Sequence, residues 1–256
     1  MRFYLGTHMV NWLRGSDVPL FVSIRRLRDV RTWRPASCRW AMDSGGFTEL
    51  SMHGRWTVDP SQYADEIERA ASEIGGLDWA APQDWMCEPQ IIAQTGLTVE
   101  EHQRRSVASV VGLRAMVRTV NVIPVIQGWE IDDYHRCVDL YAAAGIDLTA
   151  EPVVGVGTVC RRQSTAEGRQ IVESLAASGI RIHGFGVKIS GLREYGDVMV
   201  SADSMAWSFA ARKSPPLAGC SHKSCANCRK YAMGWRARVV AVASGPAQMR
   251  LFGGRP

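Results

Sequence analysis

Short apolar runs alternate with amphipathic stretches along most of this chain. The runs are Arg2–Gly6, Leu20–Ile24, Cys38–Met42, Leu77–Ala81, Val122–Ile126, Ile146–Ala150, Ile182–Val187 and Val198–Ala202. Many are rich in valine and isoleucine, the pattern of strands buried on both faces. Helical signals lie between them. Asp59-Pro60 supplies an N-cap and a first-turn proline for a helix that Gly75-Gly76 stops. Thr98 with Glu101, and Ser164 with Glu167, have capping-box spacing. Tyr134–Ala144 reads as another helix, closed by Gly145. Eight strands alternating with helices predict an α/β fold, a (β/α)8 TIM-like barrel over residues 1–213. An open doubly wound sheet is the rival. It would carry a Gly-rich phosphate turn after the first strand, and Gly6-Thr7-His8-Met9 does not supply one.

The barrel pattern ends before a dense group of soft ligands. Cys220, His222, Cys225 and Cys228 fall within C-S-H-K-S-C-A-N-C. Zinc takes four such ligands tetrahedrally, and a closed set leaves no position for a reacting water. The spacing therefore predicts a structural Zn2+ in a lobe over 214–245, packed on the barrel and followed by a tail over 246–256. His183 is the alternative source of the imidazole ligand. Seven cysteines is an odd number, and Cys38, Cys87, Cys137 and Cys160 are scattered through apolar segments. Reduced thiols in a cytoplasm fit better than a disulfide framework. The first residues lack the apolar stretch of a signal peptide, and no run reaches the length of a membrane span. The expected location is cytoplasmic.

A net charge of +5 conceals a strong asymmetry. Residues 1–42 hold eight Lys/Arg against two Asp/Glu, and residues 43–203 hold thirteen against twenty-three. Residues 204–256 hold nine basic residues and no acidic one. Basic chain ends point to a phosphate-rich partner. Lys223, Arg229 and Lys230 around the metal lobe are candidate phosphate contacts. Trp207 and Trp235 are candidates for stacking on bases, with burial in the core as the plainer role.

In barrel enzymes the chemistry sits just past the carboxyl ends of the strands. Those positions here are His8, Asp43, Asp84, Gln127, Gly157, Lys188 and Asp203. A carboxylate aimed into a barrel mouth loses hydration, so three of them imply partners or work to do. The two glycines after Asp43 and Ser44 let the backbone approach a flat ligand closely.

D-S-G-G-F at Asp43–Phe47 resembles the signature of the tRNA-guanine transglycosylase superfamily, whose members are zinc-bearing (β/α)8 barrels. The similarity continues in order through Asp84 in A-P-Q-D-W, Gln127-Gly128 in V-I-Q-G-W, V-G-V-G-T-V at Val154–Val159 and Asp203 in V-S-A-D-S-M. The cysteine cluster follows, and the resemblance spans roughly 2–235. Two departures stand out. Thr48 occupies a position where glutamine is usual. The usual ligand pattern is CxCxxC with a distant histidine, and here His222 stands where that pattern has its middle cysteine. The compact layout, W-A-M-D-S-G-G-F and V-G-V-G-T-V-C-R-R look closest to the DNA-acting, DpdA-type branch.

The resemblance implies exchange of guanine in DNA for a 7-deazaguanine base such as preQ0. It implies Asp203 as nucleophile and Asp43 as general acid/base. Base contacts would come from Ser44, Gly45, Gly46, Phe47, Asp84, Gln127, Gly128, Gly157 and Thr158. DNA would enter with its target nucleotide flipped out or single-stranded. Three other readings compete: a minimal tRNA-guanine transglycosylase, a catalytically idle barrel serving as a nucleic-acid-binding partner subunit, and an unrelated glycoside hydrolase. The basic C-terminal region fits the last one poorly. Near the end, Gln248-Met249-Arg250-Leu251-Phe252 resembles peptides that dock on bacterial sliding clamps. A clamp is therefore a candidate partner, with packing of Leu251 and Phe252 against the barrel as the alternative.

Overall fold

The computed structural model describes residues 1–158 and 165–243. Nine strands form one parallel sheet: β1 (Arg2–Thr7), β2 (Leu20–Ser23), β3 (Trp40–Asp43), β4 (Leu77–Ala80), β5 (Asn121–Val122), β6 (Val125–Ile126), β7 (Val154–Val156), β8 (Ile182–Gly184) and β9 (Met199–Ser204). Their order is β5-β4-β3-β2-β1-β9-β8-β7-β6. Neighbours in the sheet are neighbours in sequence except where β9 returns beside β1, so the order never reverses as it does in a doubly wound sheet. The two ends of the order, β5 and β6, are separated in the chain only by Ile123 and Pro124. The sheet is therefore curled, with both ends on one short segment. A proline cannot donate to a ladder, and the single strand expected over Val122–Ile126 divides there. Its first half pairs with β4 and its second with β7.

Curling gives the strands two buried faces. On β1, Phe3 and Leu5 join the large core between sheet and helices, while Tyr4 joins a second cluster with Ala41, Trp79, Ala81, Ile123, Val125 and Val153. Phe21 and Phe185 pack against that inner cluster. Each large apolar side chain buried this way stabilises the fold by roughly 1.5–3 kcal/mol. The near-continuous apolar strand segments follow from this two-sided burial.

The helix signals translate directly at two places. Asp59 caps the helix Pro60–Glu73, accepting the Ser61 N–H at 2.8 Å. Thr98 caps Val99–Met116, accepting the Glu101 N–H at 3.1 Å. One strand assignment is corrected. Ile146–Ala150 is not a strand, because Asp147 Oδ1 accepts both the Thr149 N–H at 2.9 Å and its hydroxyl at 2.7 Å and turns the chain. The strand is Val154–Val156, inside the segment expected to form a base-binding loop. Thr165 caps the helix Ala166–Ala177, accepting the Gly168 N–H at 3.2 Å. Ser164, Cys160 and the Gln248–Phe252 motif lie outside the described residues.

Trp207 and Trp235 are core residues, which corrects their candidacy as stacking platforms. Trp207 is fully buried, donates its indole N–H to the Gly6 carbonyl at 2.8 Å and stacks on Trp12. Trp235 lies on the helix Arg229–Ala243, which brings Ala232, Trp235 and Val239 into the main core, with Trp235 beside Phe3. Cys38, Cys87, Cys137, Cys220, Cys225 and Cys228 are all free thiols. No helix among the described residues is long and apolar enough to cross a membrane.

Candidate active site

A cleft of about 920 Å3 opens where the strands end at their carboxyl side. His8, Asp43, Asp84, Gln127, Gly157, Lys188 and Asp203 all line it, and these are the seven strand-end positions read from the sequence. Gly45, Gly46, Phe47 and Thr158 line it as well. Ser44 is buried just behind, its hydroxyl 3.4 Å from Asp84 Oδ1. Gly128 is set further back. A Cβ there would meet Asp133 and Tyr134 at 2.8 Å, so the residue permits the helix Ile131–Ala143 to approach.

The turn after β3 explains its glycines. Gly45 has φ +79°, a region that side chains rarely adopt, and a Cβ would fall 2.6 Å from Arg25 Cδ. It caps the helix Gly46–His53, so Asp43 ends a strand while Phe47, 44% exposed, stands at the cleft mouth. Arg25, pressed against this turn, pairs with the buried Glu49 at 2.6 Å. Glu49 also accepts the Thr57 N–H at 3.0 Å and the Thr57 hydroxyl at 2.5 Å. Arg25 and Ser23 also line the cleft, though no sequence pattern marks them. The apolar run continues through Ile24 in the sequence, and this hides Ser23 as the strand end. In register, Ser23 lies directly beside Asp43.

On the opposite side, polar groups form a fixed chain. Thr158 donates its hydroxyl to Gln127 Oε1 at 2.9 Å, and Gln127 donates its amide to Asp84 Oδ2 at 2.6 Å. Gln127 and Thr158 are almost wholly buried. Thr158 has φ +66°. A β-branched residue in that region is strained, and such strain concentrates at functional sites. Gly157 lies so close to Gln127 that a Cβ would fall 2.3 Å from its amide nitrogen.

Burial above all holds the Asp43 carboxyl above the usual carboxylate range. The Asp203 charge adds to this, while Ser23, the Gly45 N–H and Arg25 oppose it. Burial likewise pushes Asp84 up to about 7, with Asp43 adding and the Gln127 hydrogen bond opposing. Asp84 therefore holds its proton more tightly folded than unfolded. Between its ordinary 3.8 and about 7, stability falls as pH rises, and it levels off above. Asp84→Asn removes the ionisation. Its melting temperature is expected to gain on wild type between pH 5 and pH 8, by on the order of 4 °C. Thermal unfolding at several pH values measures this, and a constant offset would contradict it.

Asp203 is buried at the end of β9, where its Oδ1 accepts the Gly186 N–H at 3.0 Å. His183, the alternative metal ligand, is fully buried inside the sheet with Nε2 3.4 Å from Asp203 Oδ1. That alternative is corrected. The ligating atoms of Cys220, His222, Cys225 and Cys228 lie within 4.8 Å of one another, and these residues could hold a metal ion. His222 Nε2 is 3.1 Å from Cys225 Sγ, and the Cys220 and Cys228 sulfurs are 4.0 Å apart. Thiolates around zinc, at about 2.3 Å each, would be about 3.8 Å apart, so the donor set and its spacing suit zinc. Asn227, between two of the cysteines, reaches His8 at the cleft with a 2.6 Å contact.

The cleft rim is basic. Arg25, Arg26, Arg28 and Lys188 line it. Arg28 is held by Glu66 at 2.6 and 2.8 Å, and Arg26 lies 3.7 Å from Asp29. Lys223, Arg229 and Lys230 are exposed near the cysteine cluster, with Arg229 also 3.7 Å from Asp17.

No curated protein matches the chain. The family model described as DpdA, DeoxyPurine in DNA protein A, matches residues 1–250, and the chain belongs to that family.

Proposed function

We propose that this protein is a DNA-guanine transglycosylase, replacing guanine in DNA by a 7-deazaguanine base through a covalent aspartyl-glycosyl intermediate. The observation that carries the reading is the convergence of Asp43, Asp84, Gln127 and Asp203 on one cleft in a DpdA-family chain. We read the curled sheet as a (β/α)8 barrel in which Asn121–Ile126 is one strand interrupted at Pro124. A cleft at the carboxyl ends of the strands agrees with that architecture.

Base exchange needs no redox cofactor, because one glycosidic bond replaces another. Asp203 attacks the sugar C1′ as the bond to guanine N9 breaks, and the bond electrons leave with the base. Asp43 delivers a proton to the departing base. The incoming base then attacks C1′, gives its N9 proton to Asp43, and releases the Asp203 carboxylate. Two carboxylates in different surroundings divide these roles as they do in retaining glycosidases. The burial that raises the Asp43 pKa favours its protonated form and supports the acid role. Asp84 and Gln127 offer acceptors and a donor to the base edge, with the backbone of Gly157 and Thr158 beside them. Phe47 faces the ring at the mouth. A zinc ion on Cys220, His222, Cys225 and Cys228 would act structurally, fixing the lobe that carries Asn227.

A duplex hides the base, so the target nucleotide must leave the stack at a cost of a few kcal/mol. Phosphate contacts from the basic rim and the metal lobe offset that. Mass analysis of DNA nucleosides is the test, in cells expressing this chain with a preQ0 supply. A 7-deazaguanine deoxynucleoside is expected in DNA, and label confined to tRNA would move the assignment to tRNA. Affinity for DNA is expected to fall steeply with salt, log K against log salt having a slope of about −0.9 per phosphate contacted in a duplex. A flat salt response would remove the role given to the basic residues. The clamp-docking reading of Gln248–Phe252 rests on sequence alone. Pull-down of the clamp with wild type and with a Leu251→Ala, Phe252→Ala pair tests it.

A further inference from the structure

One buried titratable side chain beside the cleft has no part in the roles assigned above. His183 lies on β8, fully buried, within an aromatic box. Its ring centroid is 4.7 Å from that of Trp79 and 4.8 Å from that of Phe185, with Tyr4 and Phe21 at 6.0 Å. Apolar walls of this kind would be better filled by a leucine or phenylalanine. A buried imidazole loses hydration that only polar partners restore. On one side Nδ1 has such a partner, the Ser201 hydroxyl at 2.9 Å. On the other side Nε2 makes no formed hydrogen bond, and its nearest charged neighbour is Asp203 Oδ1, 3.4 Å away and off the line of an N–H there.

We infer that His183 is a positioning residue for Asp203, holding one carboxylate oxygen so that the other faces the sugar. This rests on the nucleophile role proposed for Asp203. A carboxylate oxygen only accepts, so the ring must carry a proton on Nε2 to meet it. With a single ring proton, Nδ1 is then the acceptor, and the Ser201 hydroxyl can supply the matching donor. Oδ1 thus already accepts the Gly186 N–H at 3.0 Å, with His183 Nε2–H placed to become its second donor. Oδ2 is left as the attacking atom. During the covalent stage Oδ1 is the ester carbonyl oxygen. When the incoming base displaces the ester, the electrons of the C1′–Oδ2 bond return to the carboxylate, and the same two donors stabilise the charge. Hydrogen bonds that are long in a free enzyme commonly tighten as the reaction proceeds. Forming the bond takes a shift of a few tenths of an ångström together with a small rotation that brings the N–H onto Oδ1.

The test compares wild type, His183→Phe, His183→Gln and Asp203→Asn in pre-steady-state assays on guanine-containing single-stranded DNA with preQ0. His183→Phe keeps an aromatic ring in the box and removes the donor. Its kcat and its rate of adduct formation are expected to fall about 30-fold, with KM for DNA and for preQ0 within about twofold. His183→Gln restores an N–H and is expected to recover most of that loss. Nitrogen-15 NMR of the wild-type histidines keeps the inference testable even if His183→Phe does not fold. The expected signature for His183 is the ring proton on Nε2, and a proton found only on Nδ1 overturns the inference. A folded His183→Phe with wild-type adduct formation overturns it as well, as does a His183→Gln no better than phenylalanine. If wild type forms no Asp203-dependent adduct at all, the parent reading fails, a result distinct from these.

Discussion

Asp203→Asn is expected to abolish base exchange, lowering kcat by more than about 10^4-fold, while fold and metal content stay as in wild type. The size follows from the role. Removing a covalent nucleophile eliminates the two-step path, and losses of this order accompany such deletions. A factor of 10^4 corresponds to about 5.5 kcal/mol of barrier. Folding should survive because the change is isosteric. Oδ1 of Asp203 accepts the Gly186 N–H, and an asparagine oxygen can do the same. The Val187 N–H meets the Asp203 backbone carbonyl at 2.9 Å whichever side chain is present. The melting temperature is therefore expected to stay within about 3 °C of wild type. Denaturing gel analysis after incubation with labelled DNA reads the adduct directly. An Asn variant that traps a DNA–protein adduct as readily as wild type would sink the nucleophile assignment. Asp43→Asn provides the contrast. It should lose the acid and base steps yet keep Asp203, so any residual adduct should depend on how readily the leaving base departs without a proton.

How far this site could be read in the chain depends on which interactions are local. The strand-end residues were legible because apolar runs stop where their polar successors begin. Asp43, Asp84, Gln127 and Asp203 each follow or end such a run, and parallel strands bring all such ends to one side. The Cys/His cluster that could hold a metal is legible because its four residues sit within nine positions. Periodicity alone misleads at Ile146–Ala150. Ile146 and Leu148 are partly or wholly buried, so they look like a strand, but Asp147 bonds its own backbone neighbours and makes a turn. His183 could not be placed by spacing, because a histidine on an apolar strand fits a metal ligand, a core filler or a partner of Asp203 equally well. The pairing Arg25–Glu49 joins residues 24 apart through the turn geometry of Gly45, and no sequence pattern encodes it. Asp78 makes the same point at the other end of the sheet. It sits at the start of β4 rather than after it, and collects Arg2 at 3.0 Å, the Tyr4 hydroxyl at 2.8 Å and Arg39 at 2.5 Å. A carboxylate there ties strands together, so position along a strand separates the structural aspartate from the three that line the cleft.

Cys225→Ser is expected to release the metal and give insoluble or locally unfolded protein, with base exchange lost as a consequence. Cys225 is the fully buried member of its cluster. Its sulfur accepts the Leu217 N–H at 3.3 Å and lies 3.1 Å from His222 Nε2, so it ties the incoming chain to the ligand set. Small structural zinc sites bind with roughly 10–16 kcal/mol, and that free energy becomes folding free energy. It is comparable with the whole net stability of a typical domain, about 5–15 kcal/mol. Little else local could replace it, since the segment between Lys213 and Arg229 has only the short turn Cys225–Asn227 as regular structure. The damage should not stay local. Asn227 contacts His8 at the cleft, the Ser208 hydroxyl reaches the Ala226 carbonyl at 2.9 Å, and the following helix carries Trp235 into the core beside Phe3. Freeing the cluster therefore loosens the outer wall of the cleft and the packing over β1 together. Metal content by mass spectrometry, solubility and limited proteolysis between 213 and 229 measure the three consequences separately. Ser224→Ala serves as a control, because its hydroxyl caps the turn without ligating and its loss should leave metal bound. A soluble, metal-free Cys225→Ser with normal exchange would refute the structural role, and retention of a full equivalent of zinc would show that Cys225 is not a ligand.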